Sequence, residues 1–212
     1  MSSEIRFRDL SNTICKDLNR LILSKKKINV MLTGGNTVLK LYFYLNKKIK
    51  KINLTNINFW LTDERTDYID KNNSNYLSIK NILFKKMNKK KYNFPNIISY
   101  SSNLKKSIEE YECFFPKRID LMIITLGEDG HIASLFPAVK EKSISKNFIK
   151  VYVRDNKNRN RISIKRKIFK QTDKIFALCF GRKKKNMYNK LIKNNFKTKL
   201  PADSLKNANW YF

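Results

Sequence analysis

The feature of the sequence that most constrains the fold is the apolar run IDLMIITL at residues 119–126. Successive side chains of an extended chain point to opposite faces, so an apolar residue at nearly every position makes both faces apolar. This pattern indicates a strand that is covered on both sides. The run ends in GEDG at residues 127–130, and glycines there predict a sharp turn. A strand of this kind needs other strands beside it and helices above and below it.

Short apolar runs and helical repeats alternate along the rest of the chain. Further strands are predicted at residues 28–33, 57–62, 148–153, 161–164 and 174–180. Helices are predicted at residues 9–24, 38–49, 74–83 (capped by Ser74), 104–114 and 183–193. This alternation predicts an α/β fold with a mostly parallel sheet flanked by helices, and no linker divides residues 1–212 into more than one domain.

The formal net charge of +29 requires that nucleic-acid binding be considered. Lysines occur in every segment, however, rather than on one stripe interleaved with exposed aromatic residues. We therefore expect no specific nucleic-acid partner, although a basic nucleic-acid-binding module stays open as an alternative function. A strongly positive field would in any case attract an anionic substrate.

Cysteine usage and the N-terminal sequence indicate the compartment. Cys15, Cys113 and Cys179 are odd in number and far apart, so we expect reduced thiols in the interior. The start MSSEIRFRDL is too charged for a secretory signal, and no apolar run reaches the roughly 18 residues of a membrane span. These features predict a cytoplasmic protein without membrane contact.

Three loops follow predicted strands, at the sheet edge where open parallel sheets bind their ligands. The loop TGGNT at residues 33–37 leads into a helix, and a helix N-terminus favours an anion. The loop Asp63-Glu64-Arg65 adds two carboxylates and a guanidinium. We therefore expect the loop at residues 33–37 to hold a phosphate group. The loop has neither the P-loop nor the GxGxxG pattern, so it does not indicate a nucleotide.

The third loop contains His131, the single histidine of the chain. It follows the turn after the predicted central strand and lies two residues after Asp129. A histidine in this position is suited to act as a general base. A lone histidine without clustered cysteines argues against a dedicated metal site.

The segment GEDGHIASLFP at residues 127–137 closely resembles the signature of the 6-phosphogluconolactonases. The resemblance extends to TGGNT at 33–37, WLTDER at 60–65, SNY at 74–76, RIS at 161–163 and GRKK at 181–184. It implies a Rossmann-like three-layer α/β sandwich, which the family shares with glucosamine-6-phosphate deaminases. It also implies hydrolysis of 6-phospho-D-glucono-1,5-lactone to 6-phospho-D-gluconate by a monomer or small homo-oligomer, without cofactor or metal.

The resemblance implies two groups of functional residues. The phosphate side of the substrate would be bound by Gly34, Gly35, Asn36, Thr37, Arg161 and Lys184. The reacting carbonyl would be surrounded by Asp63, Arg65, Asp129 and His131. In this interpretation His131 takes a proton from water, Asp129 or Asp63 orients it, and Arg65 faces the developing negative charge.

Three positions depart from a family pattern. Asn36 replaces a usual serine in the phosphate-side loop, and Asp203 follows Pro-Ala where a serine is frequent. Deaminases typically carry DGHIAFNEP, with a glutamate at the position of Phe136. Because phenylalanine cannot do acid-base chemistry, the lactonase is favoured, and a deaminase-like isomerase is the alternative enzyme.

Overall fold

The structure is a computed structural model that describes residues 3–66, 74–97, 104–153 and 159–212. The helices in these ranges are α1 (Ser3–Ser24), α2 (Asn36–Ile49), α3 (Asn75–Ile82), α4 (Leu104–Cys113), α5 (Lys167–Lys170) and α6 (Arg182–Lys193). The strands are β1 (Ile28–Leu32), β2 (Ile57–Leu61), β3 (Asp63–Arg65), β4 (Ile119–Thr125), β5 (Glu141–Ser143), β6 (Phe148–Val153), β7 (Arg159–Ile164), β8 (Thr172–Leu178) and β9 (Asn209–Tyr211). A short 3₁₀ helix spans Pro201–Leu205.

A five-stranded parallel sheet forms the centre of the fold, in the order β2-β1-β4-β8-β9. The apolar run at residues 119–126 supplies β4, which is the middle strand and pairs with β1 and β8. Residues Ile119 to Ile124 of this strand are all buried, as the sequence predicted for a strand covered on both faces. The predicted α/β class with a parallel sheet and flanking helices is confirmed.

The order of the strands fixes where a ligand can bind. The first strand in the sequence, β1, lies between β2 on one side and β4 on the other. The connections that leave β1 and β4 at their carboxyl ends therefore diverge and leave a crevice between them. The loops at residues 33–35 and 126–131 border this crevice.

A second, four-stranded antiparallel sheet was not predicted, and its order is β3-β7-β6-β5. It includes the segments predicted as strands at 148–153 and 161–164. Thr62 joins the two sheets, because its N–H donates to Leu32 O at 3.0 Å and its carbonyl accepts from Ile164 N at 2.9 Å. The short β3 therefore leaves the end of β2 and enters the second sheet directly beside the crevice.

The core extends over both sheets and the helices. Leu10, Ile14 and Leu18 of α1 are each 1% exposed, which confirms the helical spacing of the sequence. The helix starts earlier than residue 9, because Phe7 is also buried and packs on Phe180 with ring centroids 4.5 Å apart. The predicted cap of α3 is confirmed by the Ser74 hydroxyl, which accepts the N–H of Leu77.

The expectation that all three cysteines lie in the interior was wrong for Cys113. Cys179 is buried and Cys15 is partly buried, whereas Cys113 is exposed at the end of α4. The last buried residue of α4 is Tyr111, and Cys113 lies two residues further on, about 200° around the helix, so its side chain faces solvent. Among the helices of the described ranges, none combines the length and the apolar character that crossing a membrane requires.

Candidate active site

The crevice between the loops after β1 and β4 contains a cavity of about 180 Å³. Its lining includes nearly all of the residues that the sequence predicted for the site: Gly34, Gly35, Asn36, Thr37, Asp63, Arg65, His131, Arg161 and Lys184. They come from both sheets and from the starts of α2 and α6. The tenth predicted residue, Asp129, contacts the ring of His131 instead.

Asp129 and His131 form a close pair. The Nδ1 atom of His131 lies 2.5 Å from Oδ1 of Asp129, and the backbone N–H of His131 donates to the same oxygen at 3.1 Å. Partial burial raises the pKa of Asp129, but these contacts and the nearby imidazole outweigh it and the pKa is lowered. An ionised Asp129 places the proton of a neutral imidazole on Nδ1, which leaves Nε2 as the basic nitrogen.

The turn that carries His131 depends on its two glycines. A Cβ atom on Gly127 would lie 2.1 Å from Nδ1 of His131, so the imidazole can occupy its position only above a glycine. Gly130 has a φ of +88°, which disfavours residues with a side chain. The Gly130 carbonyl accepts from Ala202 N at 3.1 Å, and the 3₁₀ helix near the C-terminus therefore braces this loop.

Asp63 is a second carboxylate of the cavity, and it is held differently. It is 5% exposed, and its two oxygens accept hydrogen bonds of 2.7 Å from Thr62 Oγ1 and Ser134 Oγ. The spacing of the sequence left Asp129 and Asp63 as equal candidates to orient His131, and the structure brings Asp129 to the ring. Ser134 is fully buried and its hydroxyl donates to Asp63, so this serine is placed as a support and not as a nucleophile.

Glu64 is fully buried behind the cavity and ties β3 to the start of α3. Its Oε1 accepts from the N–H groups of Arg65 and Asn75, both at 2.8 Å. Its Oε2 accepts from Ser74 Oγ at 3.0 Å and from Tyr76 N at 2.7 Å. Burial raises the pKa of Glu64, and these four donors partly offset that effect by stabilising the charged form.

Asn75 is a lining residue that the site prediction missed. Its Nδ2 donates to the carbonyl of Asp63 at 2.9 Å. A Cβ on Gly34 would lie 1.9 Å from Oδ1 of Asn75, so this glycine is required for the amide to reach the cavity. The motif SNY at 74–76 was the signal that could have indicated Asn75.

Three cations, Arg65, Arg161 and Lys184, line the cavity. Arg65 on β3 lies directly opposite Arg161 on β7 in the antiparallel register. Lys184 lies in the first turn of α6, where the helix dipole is unfavourable to a cation, and burial lowers its pKa. Like charges opposite each other on a sheet destabilise it, so this arrangement favours an anion between them.

The starts of α2 and α6 both contribute residues to the cavity lining. Gly35 and Gly181 are the N-cap residues, and both have a φ of 104°, without a side-chain cap. The first N–H groups of a helix have no acceptor within the helix. Asn36 and Thr37 therefore present a helix N-terminus to the cavity, as the loop at 33–37 predicted.

The described residues contain no group of three or more His, Cys, Asp or Glu side chains arranged to hold a metal ion. The chemistry that the lining itself offers is a base on Nε2 of His131, a set of cations for an anionic group and a helix N-terminus.

Residues 2–211 match the family model described as glucosamine-6-phosphate isomerases/6-phosphogluconolactonase. The chain belongs to this family. The match covers both sheets and every residue of the cavity, and the family description includes both the favoured enzyme and the alternative one that the sequence indicated.

Individual relatives agree with the family. A 6-phosphogluconolactonase of Thermotoga maritima is 34% identical over 122 residues, which are 56% of this chain and 54% of that protein. The chain therefore spans about half the length of this relative in the alignment. A crystal structure of a 6-phosphogluconolactonase from Thermotoga maritima is 25% identical with a TM-score of 0.77, covering 97% of this chain and 94% of that one.

Structures with lower sequence identity still share the fold of this chain. A 6-phosphogluconolactonase from Shewanella baltica is 18% identical and covers 99% of this chain and 95% of its own, with a TM-score of 0.83. At that identity the likeness concerns the fold.

The contact between Gly127 and His131 yields a test that depends on geometry alone. We expect Gly127→Ala to displace the imidazole from Asp129, because the added Cβ would overlap the ring. The chain has one histidine, so the imidazole resonances in a proton NMR spectrum report on His131 without ambiguity.

Gly181→Ala is the control, since its added Cβ meets nothing within 4 Å while its φ of +104° still strains the backbone. Both variants should melt at a lower temperature, and the histidine resonances should shift only in Gly127→Ala. Unchanged resonances in a folded Gly127→Ala protein would contradict the observed ring position.

Proposed function

We propose that this chain hydrolyses 6-phospho-D-glucono-1,5-lactone to 6-phospho-D-gluconate. The observation that carries the proposal is the cavity itself, which combines His131, paired with Asp129 outside the lining, with an excess of positive charge and a helix N-terminus. A phosphorylated ester is the kind of substrate that needs both parts. The family match and the named relatives support the same reaction.

The phosphate group of the substrate would bind between the start of α2, Arg161 and Lys184. Charge-assisted hydrogen bonds to a phosphate are stronger than neutral ones, and the helix N-terminus adds its dipole. Phosphate binding would hold the lactone carbonyl near His131, so that binding energy remote from the ester is used to position the reacting atoms.

The chemical step would be general-base hydrolysis. Nε2 of His131 takes a proton as a water oxygen bonds to the lactone carbonyl carbon, and the carbonyl oxygen becomes an oxyanion. The oxyanion then re-forms the carbonyl, the bond from that carbon to the ring oxygen breaks, and the imidazolium returns its proton to the leaving oxygen. No covalent bond to the protein is formed.

Three charged side chains of the site would take part in this step. Arg65 is assigned to the oxyanion, since a positioned cation stabilises charge that develops in the transition state. Asp129 would stabilise the imidazolium through Nδ1, and Asp63 adds a carboxyl group to the cavity lining.

Phe136 supports the lactonase over the deaminase. Its ring lies against His131 with centroids 4.6 Å apart, at the position where the deaminase pattern has a glutamate. An isomerisation that moves protons along the sugar would lack that acid-base group here. Cytoplasmic location, a monomer or small homo-oligomer, and the absence of a specific nucleic-acid partner remain predictions from the sequence.

The direct experiment is an assay with freshly prepared 6-phosphoglucono-δ-lactone, corrected for spontaneous hydrolysis. We expect acceleration that a chelator does not abolish, and no ammonia release from glucosamine 6-phosphate. Ammonia release would instead support the deaminase. Absence of both activities from a folded protein would contradict the proposed function and favour a binding role.

The general-base role of His131 predicts the effect of His131→Asn. Turnover should fall by about 10²–10⁴, the usual contribution of a positioned base, because asparagine cannot take the proton. Melting temperature and affinity for 6-phosphogluconate should stay close to the wild-type values. A structural role predicts the reverse, with lowered melting temperature and an activity loss that tracks the unfolded fraction.

Lys184 makes the affinity for 6-phosphogluconate depend on pH. Burial lowers the pKa of Lys184, so its charge is lost at a lower pH than that of an exposed lysine. The dissociation constant should therefore rise as the pH is raised through that lowered pKa, while the phosphate, with its second pKa of about 6, stays close to doubly ionised above pH 7.5. Lys184→Arg keeps its charge throughout this range, so calorimetric titration should give a nearly constant affinity. Equal pH dependence of the two proteins would exclude Lys184 from the phosphate site.

A further inference from the structure

Phe136 contacts two residues to which the proposed reaction gives different tasks. Its ring centroid lies 4.6 Å from that of His131, with 32° between the ring planes. The guanidinium carbon of Arg161 lies 5.3 Å from the centroid of the same ring. Phe136 is half-buried and packs on the hydrophobic core, which fixes the ring in place.

The imidazole of His131 needs this contact to be held in one orientation. Asp129 binds it at Nδ1, and one hydrogen bond leaves a ring free to tilt about that atom. Gly127 lets one part of the ring lie close to the backbone, since a glycine has no side chain. The aromatic face of Phe136 restricts the tilt and so determines where Nε2 points.

Arg161 benefits from the same ring for a different reason. A guanidinium over an aromatic face is attracted by the negative charge of the ring face. The contact favours the position of a cation that faces another cation, Arg65, across the strand pair. One side chain therefore acts on both the base and the phosphate-side cation.

We propose that Phe136 is a positioning residue that holds His131 and Arg161 at a fixed separation. This inference rests on the proposed function. The distance from the reacting carbonyl to the phosphate is limited by the sugar chain, so a base and a phosphate cation that move independently would seldom meet both groups at once. A shared ring couples the two positions.

The test compares Phe136→Leu, which keeps an apolar side chain and removes the ring, with Phe136→Tyr, which keeps the ring. Phe136→Leu should lower kcat by about 10- to 100-fold, the scale of a small misplacement of reacting groups. It should also weaken 6-phosphogluconate binding. Phe136→Tyr should restore both values to near the wild type.

Two further measurements distinguish positioning from a general loss of structure. The sole histidine reports the ring contact directly, since its imidazole resonances should lose the ring-current shift in Phe136→Leu and keep it in Phe136→Tyr. The double variant Phe136→Leu/Arg161→Ala should bind 6-phosphogluconate no more weakly than Arg161→Ala alone, because the two changes remove one coupled unit. Melting temperatures show that each variant is folded.

The proposal is overturned if folded Phe136→Leu keeps wild-type kcat and product affinity, or if the losses of the double variant simply add. It is also overturned if the histidine resonances are the same in all three proteins. A wild-type protein without lactonase activity would contradict the proposed function alone. The resonances and the affinity for 6-phosphogluconate would still decide whether Phe136 couples the two residues.

Discussion

The parallel pairing of β1 with β4 is the constraint on which the rest of the structure depends. After β1 the chain forms β2 on one edge of β1, and it later forms β4 on the opposite edge. The crevice at the carboxyl ends of β1 and β4 follows from this topology and needs no side chain to form it. The side chains decide only what the crevice binds, and here they come from loops that the strand order has already brought together.

The cations of the cavity lower the stability of the fold and favour the binding of an anion. Arg65, Arg161 and Lys184 line one cavity beside a helix N-terminus, and burying a cation costs free energy unless its contacts offset the loss of water. The burial that lowers the pKa of Lys184 shows the direction of this cost. A bound phosphate would remove much of it. Asp63 and Glu64 belong to β3, the strand that carries Arg65, and their hydrogen bonds to Ser134 and Asn75 hold that strand beside the cavity.

The sequence predicted the parallel sheet and most of the cavity, for identifiable reasons. The run at 119–126 is so continuously apolar that only a central strand suits it, and a single histidine after a glycine turn leaves little choice of base. The antiparallel sheet was missed because β3 and β5 are too short to show a period. Asn75 was missed because it reaches the cavity through contacts with Gly34 and Asp63, which are distant in sequence. Choosing between Asp129 and Asp63 required distances in space.

The buried carboxylate of Glu64 has a consequence for how the family can vary. Three of its four hydrogen bonds join β3 to Ser74, Asn75 and Tyr76 at the start of α3, and so fix both ends of the intervening chain. Lengthening a closed loop adds little to the entropic cost of closure, since that cost grows only with the logarithm of loop length. Insertions and deletions between these two ends should therefore be tolerated while the cavity keeps its geometry. That stretch of sequence could then diverge while the contacts between β3 and α3 stay the same.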